Sequence, residues 1–166
     1  MAEKDKIFES KIQHTGIFDF KETYGFAYKW LIDENFDVTE KKYSEKVKAE
    51  GKEIEIQWTF ERKISDYFKF SGTADWRILG MNTVEVSKNG IKLKMNQGQV
   101  EIKVKGILER DYENKWEGRA IRKFMRGIYD KYIVKQRIEQ YEGKLFAEMD
   151  EFTSQMKSFL TLEGQH

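Results

Sequence analysis

Residues 52–64, KEIEIQWTFERKI, constrain this chain more than any other stretch. Ile54, Ile56, Trp58, Phe60 and Ile64 fall on one parity, while Glu53, Glu55, Gln57, Thr59, Glu61 and Lys63 fall on the other. A period of two is that of a β-strand, since a helix repeats its face every 3.6 residues. One apolar side and one charged side describe a strand with one face packed and one in water, which is the habit of antiparallel sheets. A sheet with a single apolar face needs a single cover, so the rest of the chain must supply it.

The neighbouring segments extend the sheet. Phe68, Phe70, Gly72, Ala74, Trp76 and Ile78 alternate inward over 67–79, and Val100, Ile102 and Val104 do so further on. Asn89-Gly90 lies between two alternating runs and predicts a tight hairpin turn. Gln97-Gly98 predicts a second turn. Over 36–49, Val38 falls on one parity and Tyr43 and Val47 on the other, which predicts a bulge near Lys41. Residues 7–18 form a further strand. Asp19 and Glu22, three apart, then open a helix as a capping box, with Phe20, Ala27, Trp30 and Leu31 on one face. The expectation is an antiparallel, curved sheet of six to seven strands.

The cover lies after Trp116. Ile121, Phe124, Met125, Ile128, Tyr132, Ile138, Tyr141 and Leu145 share one broad helical face. A continuous helix over 119–160 spans roughly 42 residues, or about 63 Å. A chain of this length folds to roughly 40 Å across. The mismatch predicts a break near Gly143, where a glycine interrupts the apolar pattern. A second helix over 144–160 then carries Leu145, Met149, Phe152, Met156 and Phe159. That apolar stripe must pack on its own domain or form an interface with another copy. The division expected is 1–142 as the main domain and 143–166 as a helical extension.

The composition excludes several functions. With 166 residues, the chain is long enough for a core without staples, and it has no cysteine, hence no disulfide, thiolate metal site or thiol nucleophile. The only histidines are His14 and His166. Neither has a patterned partner. Of the acidic pairs Asp33/Glu34, Glu53/Glu55 and Asp111/Glu113, the one on the outer face of the 54–64 strand reads as solubilising, with lysine partners across the strands. No enzyme, metal or cofactor is implied. The net charge of +1 argues against a dedicated nucleic-acid binder. One basic cluster stands out, with Arg119, Arg122 and Arg126 at helical spacing, and would serve as an anion site. No apolar window has the length of a membrane span or signal core, so a cytoplasmic location is expected.

The order of elements is strand, helix, antiparallel strands and then a long C-terminal helix. It is carried by IFESKIQHTGIFDFKETYGFAYKWL, by the meander from KEIEIQWTFERKI through QVEIKVKGILERDY, and by RAIRKFMRGIYDKYIVKQRIEQY. In this order the chain resembles the START-like (SRPBCC) superfamily, whose fold is the helix grip. The likeness covers about residues 6–142 and rests on no residue motif. It implies an α+β domain with an apolar cavity between the curved sheet and the last helix, taking a lipid or other hydrophobic small molecule without catalysis. Trp58, Phe60, Phe70, Trp76 and Ile102 of the sheet, with Phe124, Ile128 and Tyr132 of the helix, are the expected lining. The small residues Gly72 and Ala74 either bend the sheet or leave room for a ligand. The alternative is a structural protein that self-associates through its C-terminal helical region. A lesser alternative is binding of an anion or nucleic acid at Arg119, Arg122 and Arg126.

Overall fold

The computed structural model describes residues 3–110 and 135–164. They form an α+β domain of five antiparallel strands and two helices, the second of them long. The strands are β1 (Glu3–Phe18), β2 (Asp37–Lys48), β3 (Gly51–Lys63), β4 (Phe68–Lys88) and β5 (Ile91–Arg110), and the helices are α1 (Phe20–Asp33) and α2 (Lys135–Glu163). The sheet runs β1-β5-β4-β3-β2. The last four strands are thus a simple meander, and β1 closes against the final one.

Alternation places the side chains as the residue pattern requires. Ile54, Ile56, Trp58 and Phe60 of β3 are buried, as are Phe68, Phe70, Ala74, Trp76 and Ile78 of β4. Val100, Ile102, Val104 and Leu108 continue the same face on β5. The opposite face is a lattice of ion pairs between strands, including Lys42–Glu55 at 2.8 Å, Lys11–Glu101 at 3.6 Å and Lys69–Glu109 at 3.3 Å. This pairing draws some of the outer residues inward. Lys63 is exposed, but Glu53, Glu55 and Lys69 are only partly so.

Local chemistry sets the ends of α1. The Asp19 carboxylate accepts the Glu22 N–H at 3.1 Å, so the capping residue is the expected one. At the other end Asn35 takes a left-handed φ of 67°, with Asn35 N–H on the Ile32 carbonyl and Phe36 N–H on the Leu31 carbonyl. Asn89 and Gly90, at φ 53° and 76°, make the β4–β5 turn. The bulge in β2 falls between Glu40 and Lys42, which returns Tyr43 to the face of its partner Ile56.

Two expectations need correction. Gln97-Gly98 does not turn the chain, because β4 and β5 each run straight through as one long strand. Between Leu79/Gln99 and Asn82/Gln97, β4 has two residues where β5 has only Gly98. The extra residue is a bulge, with Gly80 left-handed at φ 61°. A Cβ on Gly98 would lie 2.9 Å from the Leu79 carbonyl oxygen, so this glycine serves close backbone approach. Merging those segments gives five strands among the described residues, where the pattern alone suggested six to seven.

The second correction concerns Gly143. α2 passes through it unbroken. Over its described part the helix is about 44 Å long, close to the width of the domain, and so it fits. Burial on both sides of the glycine outweighs its helix-weakening effect of about 1 kcal/mol. Leu145, Met149, Phe152, Met156 and Leu160 are all buried, while Ile138 and Tyr141 pack against the same core. The boundary expected at 142/143 therefore lies within a helix. The apolar stripe packs on its own domain, with Phe152 tilted against Trp30 at 5.0 Å and Phe159 stacked on Phe26 at 4.6 Å.

Arg62 holds the layers together. It shares the inward parity of Trp58 and Phe60, yet it carries a charge. Its guanidinium donates to both oxygens of Glu148 on α2 (3.0 and 2.8 Å) and to the Glu34 carbonyl at the end of α1 (2.6 Å). The same group lies 4.6 Å from the Phe36 ring centre and 5.1 Å from that of Phe70. One side chain thereby ties β3 to both helices.

Candidate binding groove

The sheet residues expected to line a ligand cavity are buried, with Trp58 against Trp76 and Phe60 against Phe36, each pair at 5.2 Å. Trp58, Phe60, Phe70, Trp76 and Ile102 are between 0 and 3% exposed. The space above Gly72 is taken, since a Cβ there would come within 2.3 Å of the Phe60 ring. Gly106 is likewise covered, by Met149 and Phe8. The helix residues expected opposite them, Phe124, Ile128 and Tyr132, lie outside the described residues, and so do Arg119, Arg122 and Arg126. Of the residues expected at an interface, Leu145, Met149, Phe152 and Met156 are buried and Phe159 is half-buried within the chain.

Two concave surfaces among the described residues have the size of a small-molecule site. One, of about 540 Å³, lies on the ion-paired face over the β4 bulge. Its floor is backbone at Gly16, Gly51, Gly80 and Gly98, and its walls carry Thr15, Gln97, Gln99 and the Lys48–Glu53 pair. The other, of about 380 Å³, opens between the start of α1 and strands β2, β3 and β4. It is lined by Phe20, Tyr24, Tyr43, Ile54 and Met81, with Lys21, Glu45 and Lys52 around it. Ligand sites are mostly apolar concavities of this size with a few polar groups at defined places. The second groove has that character through its aromatic and aliphatic side chains, whereas the first is lined chiefly by glycine backbone and polar side chains.

The elements place each wall for a reason. The cap at Asp19 and the Phe20 N–H bond to the Asn96 side-chain oxygen (2.9 Å) fix where α1 begins, and so where Phe20 and Lys21 stand. Phe20 and Tyr24, one turn apart, meet edge-on at 6.1 Å. The β2 bulge turns Tyr43 inward, and the β4 bulge at Gly80 delivers Met81, which pairs with Lys52. The groove thus stands on two strand irregularities and one helix cap.

Its deep wall is aromatic and carries a polar anchor. Tyr24 packs edge-on against Trp58 at 5.0 Å and its hydroxyl donates to Glu40 at 2.8 Å. Trp58 Nε1 also donates to Glu40, at 3.4 Å. Burial, reinforced by the Glu40 carboxylate, pushes the Tyr24 phenol up to about 12. Burial also raises Tyr43, with Glu45 and Glu40 adding to the shift. Both phenols therefore remain neutral at physiological pH. Trp76, 5.2 Å from Trp58, keeps a buried Nε1 with no hydrogen-bond partner among the described residues.

The alternation pattern missed this site. Tyr43 was legible only as a parity change, Met81 sits beyond the alternating run, and Lys21 belongs to no motif. No group of three or more His, Asp or Glu side chains among the described residues could hold a metal ion. No helix among them is long and apolar enough to cross a membrane. Compared with family models, with curated proteins and with solved structures, the chain has no match in any of the three.

Proposed function

We propose that this protein binds a hydrophobic small molecule, without catalysis, in the groove between α1 and strands β2 to β4. One observation carries the reading. Phe20, Tyr24, Tyr43, Ile54 and Met81 keep about 380 Å³ open beside a core whose other aromatic rings are closely packed. Transfer of apolar ligand surface into such a recess is the favourable term. The helix-grip, START-like architecture is part of the same proposal. It is supported by a strand order in which β1 lies beside the last strand and by the long α2 across the sheet. The site differs from the one that likeness implies, because it opens at α1 and not beneath the C-terminal helix.

The alternative of self-association through the C-terminal region is less favoured, since Leu145, Met149, Phe152 and Met156 of α2 are buried within the chain. The test is titration with N-phenyl-1-naphthylamine, a neutral probe that brightens in apolar surroundings. Saturable uptake of one probe per chain is expected, weakened in Tyr43→Ala and unchanged in Val47→Ala. Val47 lies on the same strand and is 82% exposed. Uptake that never saturates, or that ignores Tyr43→Ala, overturns the proposal.

A further inference from the structure

We infer that the preferred occupant of this groove is a single-chain amphiphile with an anionic head, held at the head by Lys21. The inference rests on the groove being a binding site and adds the class of ligand. Three charged side chains border the apolar walls: Lys21, Glu45 and Lys52. Two of these neutralise each other, Lys52 Nζ lying 3.0 Å from Glu45. Lys21 has no carboxylate in ion-pair distance among the described residues. Of the two acids at the same helix end, Asp19 is turned to the Glu22 N–H as the helix cap, and Glu22, the next residue along the helix, makes no ion pair with Lys21. The border therefore presents one ammonium that makes no ion pair among the described residues, above an apolar recess.

The position adds to the charge. Lys21 lies in the first turn of α1, where a cation faces the positive end of the helix dipole and gains nothing from its own helix. An anion bound there meets both the ammonium and that end of the helix. The walls offer little to a larger polar ligand. The Tyr24 hydroxyl is already committed to Glu40, Ile54 offers no polar side-chain atom and the Met81 thioether is a weak acceptor, which leaves the Tyr43 hydroxyl as a polar group of the walls. A carboxylate or sulfate on an alkyl chain satisfies both parts of the site: the chain fills the recess and the head stays at the wet border beside Lys21.

Dodecanoate and 1-dodecanol, which share a chain and differ in charge, separate the two parts of this claim. Each is titrated at pH 8 by displacement of the naphthylamine probe, in the parent protein and in Lys21→Gln. Because the pair is solvent-exposed, the variant should weaken dodecanoate by about two- to fivefold. It should leave dodecanol unchanged. Raising the ionic strength to about 0.5 M should weaken dodecanoate in the parent protein and have less effect in the variant. Dodecanoate binding that ignores Lys21→Gln, or a loss equal for both ligands, overturns the anionic head and leaves the apolar groove standing. Failure of both ligands to displace the probe in the parent protein overturns the groove reading itself.

Discussion

Replacing a glycine with alanine should have opposite effects at two places in this fold. At Gly72, on the inward face of β4, a Cβ would lie 2.3 and 2.4 Å from two atoms of the Phe60 ring and 2.5 Å from the Lys105 carbonyl oxygen. The ring can tilt only into a packed core, and the carbonyl belongs to the β5 backbone. Overpacking of this kind costs about 1–3 kcal/mol, and the backbone contact places Gly72→Ala at the upper end. For a chain of this size that lowers the melting temperature by roughly 6–12 °C. At Gly143 a Cβ would meet nothing within 4 Å, and the residue is helical. Gly143→Ala should therefore stabilise by about 0.8–1 kcal/mol, or roughly 2–4 °C. Urea unfolding measures both, with unchanged m-values as the sign that the comparison is fair. A neutral Gly72→Ala would refute the seating of Phe60 on that glycine. A destabilising Gly143→Ala would mean that the helix does end there in a left-handed turn.

Three further outcomes follow from the packing. Trp58→Ala should cost about 3–5 kcal/mol through lost transfer energy and an unfilled space, read by the same urea titration. Glu148→Ala should cost about 1–3 kcal/mol, because among the described residues it leaves the Arg62 guanidinium the Glu34 carbonyl and two aromatic faces. Arg62→Ala, which removes all these contacts, should cost more. Tyr24 supplies a pH test: a phenol whose folded pKa lies above the usual 10, at about 12, contributes stability below pH 10 and loses it as pH rises through 12. Unfolding followed from pH 9 to 12 should show that loss in the parent protein and a smaller one in Tyr24→Phe.

Much of the fold was legible because side-chain alternation and burial obey one rule. Ile54 to Phe60 and Phe68 to Ile78 face the core as their parity requires, and Asn89-Gly90 turns as its conformational preferences require. Legibility failed where tertiary contact overrode a local signal. Gly98 reads as a turn, but it lies opposite a bulge where only a glycine lets the strands close. Gly143 reads as a helix stop, but burial of Tyr141 and Leu145 on either side of it carries the helix through. Arg62 falls on the inward parity between Phe60 and Ile64, and no local pattern records that Glu148 and Glu34 satisfy its charge. The groove was the hardest part to foresee. Its walls come from α1, β2, β3 and β4, and no local pattern records that Phe20, Tyr43 and Met81 meet.

Methyl NMR of the protein labelled at isoleucine δ1 and methionine ε positions tests the central claim most directly. On titration with N-phenyl-1-naphthylamine, the Ile54 and Met81 methyls should shift in a saturable way. Those of Ile12, Ile102, Met149 and Met156, buried between sheet and α2, should stay in place. Shifts centred on Ile102 and Met149, with Ile54 and Met81 unmoved, would place the ligand beneath the C-terminal helix and contradict the groove.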